Sequence, residues 1–160
     1  MGTPAQRLEN DRATYPAMQV DEILVWKNWL VQHQAEYDRF EYNFRLGQNL
    51  DPGDKYPNSI RRAAIMLRSA RVDAVGYSGA TATIFELKRR LSPPNLGQIL
   101  AYKALWDAQG IQPANPALAL VGADAAPHVL PGAAAAGITV YIVPTNFSFL
   151  SPFAARRVAP

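Results

Sequence analysis

The segment Arg71–Lys88, RVDAVGYSGATATIFELK, reads as two strands joined by a tight turn. Arg71–Tyr77 (RVDAVGY) and Thr81–Lys88 (TATIFELK) flank Ser78-Gly79-Ala80, a short glycine-containing link of the hairpin kind. Side chains alternate faces along a strand, so Glu86 and Lys88 point the same way and Leu87 points opposite. If Tyr77 pairs with Ala82, Asp73 stands across from Glu86. A slip of one residue puts the two carboxylates on different faces, and the turn residues leave the register open. In the favourable register two carboxylates and one ammonium meet at one point of the sheet.

The elements on either side complete an α/β pattern. Upstream, Met18, Ile23, Leu24, Trp26, Leu30 and Val31 have helical spacing, with Asp21 and Glu22 suited to a first turn. Tyr37–Leu46 (YDRFEYNFRL) reads as an aromatic strand, and Asp51–Asn58 (DPGDKYPN) as a turn. Ser59 is placed to cap a short helix over Ile60–Arg68. Downstream, Pro93-Pro94 breaks the chain before a helix over Leu96–Gln109 that stops at Gly110. Ala117–Gly122 and Ile138–Val143 are continuous apolar runs, as expected of strands buried on both faces, with a helical turn at Ala133–Ala136 between them. The order predicts a three-layer α/β domain. It spans residues 17–145, between a loose arm over 1–16 and a tail over 146–160. The tail carries Phe147, Phe149, Leu150 and Phe153 before Arg156-Arg157; it either folds back or docks on another protein.

Composition narrows the chemistry. The 160 residues suffice for one domain with a real core, and 18% charge is below the roughly 25% usual for soluble domains. Without cysteine there is no disulfide framework, no thiolate zinc site and no cysteine nucleophile. With only His33 and His128, a metal falls naturally to carboxylates, which favours a hard ion such as Mg2+ or Mn2+. There is no GxGxxG, phosphate-binding P-loop or GxSxG motif. Met1–Asn10 lacks the apolar core of a secretory signal, and the soft stretch Ala114–Ile142 is too interrupted to span a membrane; a cytoplasmic location is expected.

Charge is unevenly spread. Lys55–Arg90 carries eight basic residues against Asp73 and Glu86, or about +6, while the whole chain is +3. Twelve of the 16 basic residues are arginine, the side chain best shaped for bidentate phosphate contact. A basic middle of this kind suits a polyanion, DNA first, with Arg61, Arg62, Arg71, Arg89 and Arg90 as candidate phosphate contacts. A solvated arginine face is the plainer alternative.

Two carboxylates side by side are costly unless a cation intervenes, and a divalent ion removes that cost. Lys88 then stands where it can orient water or balance developing charge. Gln98 and Tyr102, four apart on the following helix, share a face and can reach the same pocket.

Val72-Asp73 followed by Glu86-Leu87-Lys88 resembles the PD-(D/E)XK nuclease superfamily, the restriction-endonuclease-like fold, over about Met18–Pro144. The similarity is greatest to small members encoded by tailed bacteriophages. It implies an αβββαβ core with a mixed central sheet, Mg2+ (or Mn2+) held by Asp73 and Glu86, and a water-assisting Lys88. Gln98, in Gly97-Gln98-Ile99-Leu100-Ala101-Tyr102, looks like the glutamine that several branches place after the signature strand, and Tyr102 joins the candidate DNA contacts. Valine stands before Asp73 where the family name has proline. A further acidic ligand on the first helix has Glu22 as its counterpart, with Glu36 and Glu41 as alternatives. Two functions follow from the resemblance. One is a metal-dependent nuclease acting on DNA. The other, motivated also by the apolar tail and the loose N-terminal arm, is a non-catalytic or particle-associated phage structural or assembly protein that reuses the fold to bind head, portal or tail partners, which adds the virion to the expected locations.

Overall fold

The computed structural model describes residues 7, 11–47, 51, 53–62 and 69–150, the side chain of 149 excepted. Helix α1 (Val20–His33) and a 3-10 turn (Gln34–Glu36) lead into strand β1 (Arg39–Leu46). Strands β2 (Ala70–Ser78) and β3 (Thr81–Leu91), helix α2 (Pro93–Ala108), strand β4 (Ala117–Ala125), helix α3 (Val129–Ala135) and strand β5 (Thr139–Ile142) follow. The strands form one mixed sheet in chain order, β1-β2-β3-β4-β5. The first three are an antiparallel meander; β4 lies parallel to β3 and β5 parallel to β4. Parallel neighbours need crossover connections, which α2 and α3 supply.

Helices cover both faces, giving the expected three-layer α/β architecture. On one side Ile23, Val25, Trp26 and Trp29 of α1 pack on Ala74, Phe85, Leu87, Ala119 and Val121. On the other, Ile99, Tyr102 and Trp106 of α2, with Val129 and Ala133 of α3, pack on Val72, Val75, Ile84, Leu118 and Leu120. Trp26, Trp29 and Trp106 are fully buried, as their helical positions suggest. The α1 layer is strongly aromatic: Trp26 stacks on Trp29 at 4.7 Å, and Phe85 meets both edge-on at 5.2 and 4.9 Å. Gly76 is required beneath this cluster, because a Cβ there would lie 2.7 Å from a ring carbon of Tyr37.

Some local expectations change. Pro93 and Pro94 open α2 rather than precede it, since the first turn of a helix has no use for the missing N–H. Asn95 Oδ1 accepts from both the N–H and the hydroxyl of Ser92 and closes that entry. Strand β5, expected to be buried on both faces, is the sheet's edge strand and is partly exposed, with Ile142 43% accessible. The arm expected to be loose over 1–16 is tethered from Asp11: Asp11 pairs with Lys27 at 2.7 Å, and Tyr15 meets Tyr42 edge-on at 4.8 Å. Phe147 and Leu150 fold back against the α1 layer. Residues 58–62 are helical; Ala63–Arg68 of the helix expected there, and Phe153, Arg156 and Arg157 of the tail, lie outside the described residues. Among the described residues, no helix is long and apolar enough to cross a membrane.

Candidate active site

The hairpin register brings the acidic residues together. Tyr77 pairs with Ala82, and the β2–β3 ladder continues as far as Ala74 with Phe85. Asp73 and Glu86 are the next residues, and here a side chain takes over from the backbone: Leu87 N–H donates to Asp73 Oδ2 at 2.8 Å. On the other flank of β2, Tyr42 pairs with Ala74 and Phe44 with Val72, leaving Asn43 opposite Asp73. Asn43 has φ 55°, a left-handed conformation that asparagine tolerates better than most residues. The alternation of both strands changes sides at this point. Tyr42 and Ala74 belong to the α1 layer, Phe44 and Val72 to the α2 layer. Asp73 sits at the pivot.

The charges gathered there are deeply placed. Asp73 is 5% accessible, Glu22 6% and Glu86 0%. Ile84 faces the α2 layer while Phe85 and Leu87 face the α1 layer, so alternation turns Glu86 toward α2. Neither carboxylate oxygen of Glu86 has a hydrogen-bond partner. Lys88 Nζ lies 3.1 Å from Glu86 Oε1, close enough for an ion pair but without hydrogen-bond alignment. The same ammonium donates to Glu22 Oε1 at 2.9 Å and to the Leu87 carbonyl at 2.8 Å. Glu22 is held from both ends, since its Oε2 accepts the Gln19 N–H at 2.8 Å as α1 begins. Of the three acids weighed for the first helix and its surroundings, Glu22 is the one that reaches the cluster. Glu36 binds His33 and Glu41 binds Arg39, both at the surface.

Helix α2 closes the other side. Gln98 Nε2 donates to the Tyr102 hydroxyl at 2.5 Å, and that hydroxyl donates to the Arg71 carbonyl at 3.0 Å, two residues before Asp73. Tyr102 is 4% accessible, so it stands behind the site as a buried support rather than on a surface that meets DNA.

Electrostatics follow from burial. Desolvation first, then the nearby Glu86, raises the Asp73 carboxyl well above the usual carboxylate range. Glu86 is likewise raised, chiefly by burial and against the pull of Lys88. Burial works against the Lys88 ammonium, but Glu86, Asp73 and Glu22 together raise it above an ordinary lysine. The Tyr102 phenol is raised by burial and then by Glu86, and stays protonated at neutral pH. Among the described residues, no group of three or more His, Asp or Glu side chains could by itself hold a metal ion, and Lys88 stands between Glu22 and Glu86.

The candidate phosphate contacts fall in three places along the chain: Arg61 and Arg62 before β2, Arg71 on β2, and Arg89 and Arg90 on β3. Arg61 is bound by Asp51 and Asp54 in the loop before β2, holding Asp51 down to about 2. Arg62 is exposed beside it. Arg89 lies over the Phe147 ring at 4.3 Å, and Arg90 pairs with Asp124 at 2.9 Å. Arg71 is the one adjoining Asp73, with Nε on Asn43 Oδ1 at 2.6 Å. His128 is exposed at the start of α3, away from any catalytic grouping. Sequence reading missed Arg45 and Asn43, which β1 brings opposite Arg71 and Asp73; only the β1–β2 register reveals them. No protein-family model, curated protein or solved structure matches this chain.

Proposed function

We propose that this chain is a metal-dependent nuclease that hydrolyses DNA phosphodiester bonds. The observation that carries the reading is Glu86: a fully buried carboxylate with neither oxygen hydrogen-bonded, beside a second buried carboxylate and a lysine. A folded chain rarely leaves such a group with an ion pair but no hydrogen bond without a functional reason. The donor set suits a hard divalent ion, because its oxygens are carboxylate and its surroundings offer no thiolate or imidazole. The strand order, a meander followed by a helix and a strand parallel to the third, agrees with the resemblance to the PD-(D/E)XK nucleases.

Asp73 and Glu86 would hold Mg2+ or Mn2+, which supplies a Lewis acid that activates water and offsets charge on the phosphate under attack. Lys88, kept cationic by its three acidic neighbours, balances the negative charge that gathers on the phosphate. Glu22 keeps the ammonium in place through its contact at 2.9 Å. Gln98 and Tyr102 brace the Arg71 backbone and so fix the approach to Asp73.

Incubation with plasmid and linear DNA tests this. The native chain should cut with Mg2+ or Mn2+ and stop with chelator, while Asp73→Ala and Lys88→Ala should each lose at least about a thousandfold in rate. Cleavage that survives both substitutions, or that needs no divalent ion, rules the reading out.

A further inference from the structure

Arg45 and Arg71 are direct cross-strand partners in the β1–β2 ladder. Like charges in that position repel, and an antiparallel pair ordinarily avoids them. Their partners are neutral: Arg71 Nε donates to Asn43 Oδ1 at 2.6 Å, and Arg45 Nη1 donates to Ser69 Oγ at 3.1 Å. Three other described arginines are paired with carboxylates, while Arg89 rests on the Phe147 ring. Arg39 is paired with Glu41, Arg61 with Asp51 and Asp54, and Arg90 with Asp124. Asn43 and Arg45 also line a cavity of about 620 Å³ along the outer side of β1, bounded across from them by Gln109 and Ile111 at the end of α2. Glu41, at its far end, is occupied by Arg39. Arg71 lies two residues from Asp73, about 7 Å along the strand.

We propose that Arg45 and Arg71 form a phosphate clamp that holds the nucleic-acid backbone beside the scissile bond. An anion between the guanidinia turns the cross-strand repulsion into two charge-assisted contacts, and the fork of each arginine matches a phosphate. Asn43, fixed opposite Asp73, sets the spacing between clamp and carboxylates. The clamp deepens the nuclease reading and rests on it for the role of the bound strand; its binding chemistry is that of phosphodiester anions.

The test is binding of a fluorescein-labelled DNA duplex, followed by anisotropy in chelator across a salt series, so that no cleavage occurs. Arg45→Gln and Arg71→Gln should each weaken binding roughly tenfold, and the double variant should flatten the slope of log affinity against log salt by about 1–2. Arg45→Lys with Arg71→Lys should keep the slope. Lys103→Gln, which removes the same charge from an exposed pair with Asp107, should change neither affinity nor slope. The glutamine variants should melt no lower than the native chain, because a repulsion has been relieved. A native slope in the double variant, an equal loss in Lys103→Gln, or a clear fall in melting temperature would each overturn the clamp. Metal-dependent cleavage is scored separately. A native chain that cuts DNA while the double variant binds normally refutes the clamp alone; one that binds through the arginines yet never cuts refutes the nuclease alone.

Discussion

The two ends of the β2–β3 hairpin are built from the same two strands and do opposite things. From Ser78 and Thr81 to Ala74 and Phe85 the backbone ladder is complete, and the side chains facing α1 enter an aromatic core. One residue further, Glu86 is as deeply buried as Phe85 and Asp73 nearly so, yet they are polar, and a carboxylate replaces the backbone in binding Leu87. The closed end lowers the free energy of the fold by burying apolar surface and satisfying every rung. The open end raises it by burying charge that the protein itself neutralises only in part. That contrast marks out a candidate site more sharply than charge alone, because the basic residues are spread over several loops and strands.

Breaking the closed end should have the largest effect on stability. Phe85 is fully buried and meets Trp26, Trp29 and Tyr37 at 5.2, 4.9 and 5.7 Å. Phe85→Ala should cost about 3–5 kcal/mol in urea unfolding, the usual range for an aromatic ring removed from a packed core. A loss under about 1 kcal/mol would show that the aromatic layer does not hold α1 to the sheet.

The open end should respond in the other direction. Glu86→Gln removes a buried charge while Lys88 keeps its contact with Glu22 at 2.9 Å. The metal-free variant should be more stable than the native chain by about 1–3 kcal/mol, and on the proposed nuclease reading it should not cut DNA. Dependence on pH sharpens the point. Asp73 and Glu86 have folded-state pKa values raised above those of the unfolded chain. The folded state therefore holds protons that the unfolded state has released, and metal-free stability falls as pH rises from the ordinary carboxylate range through the raised values. Asp51, lowered to about 2, has the opposite sign, but its contribution is lost only as pH falls toward that value, below this window. Melting temperatures from pH 5 to 8 in chelator should decline for the native chain and decline less for Glu86→Gln. A rise in both would mean that the carboxylates are satisfied as they stand.

The part of this contrast that periodicity and turn chemistry control was legible in the sequence: strands on both sides of Gly79, helices around them, and tryptophans on buried helical faces. Whether Asp73 meets Glu86 depends on register. The residues Ser78-Gly79-Ala80 allowed more than one, and the packing of Phe85 and Leu87 beneath α1 selects between them. The choice among Glu22, Glu36 and Glu41 was equally closed to a linear reading, because it depends on which of these carboxylates Lys88 reaches across the fold. Arg45 escaped notice for a related reason. It lies outside the basic run Lys55–Arg90, and only strand pairing puts it beside Arg71. Pro93-Pro94 misled because proline was read as a stop where it serves as a start.

The smallest expected effect returns to the turn. Gly79 has φ +54°, where a side chain is disfavoured, but a Cβ there would meet nothing within 4 Å. Its N–H donates to Asp38 Oδ2 at 2.7 Å, a contact that alanine can keep. Gly79→Ala should therefore cost only backbone strain, roughly 1 kcal/mol, with cleavage and metal dependence unchanged. The turn sets the register, and the register places Asp73 against Glu86, so the comparison becomes quantitative here. If strain at the turn is absorbed locally, stability falls slightly and DNA cutting is untouched. If Gly79→Ala instead costs activity out of proportion to stability, the register is held by the turn rather than by Phe85 and Leu87, and the two ends of the hairpin are coupled more tightly than their packing implies.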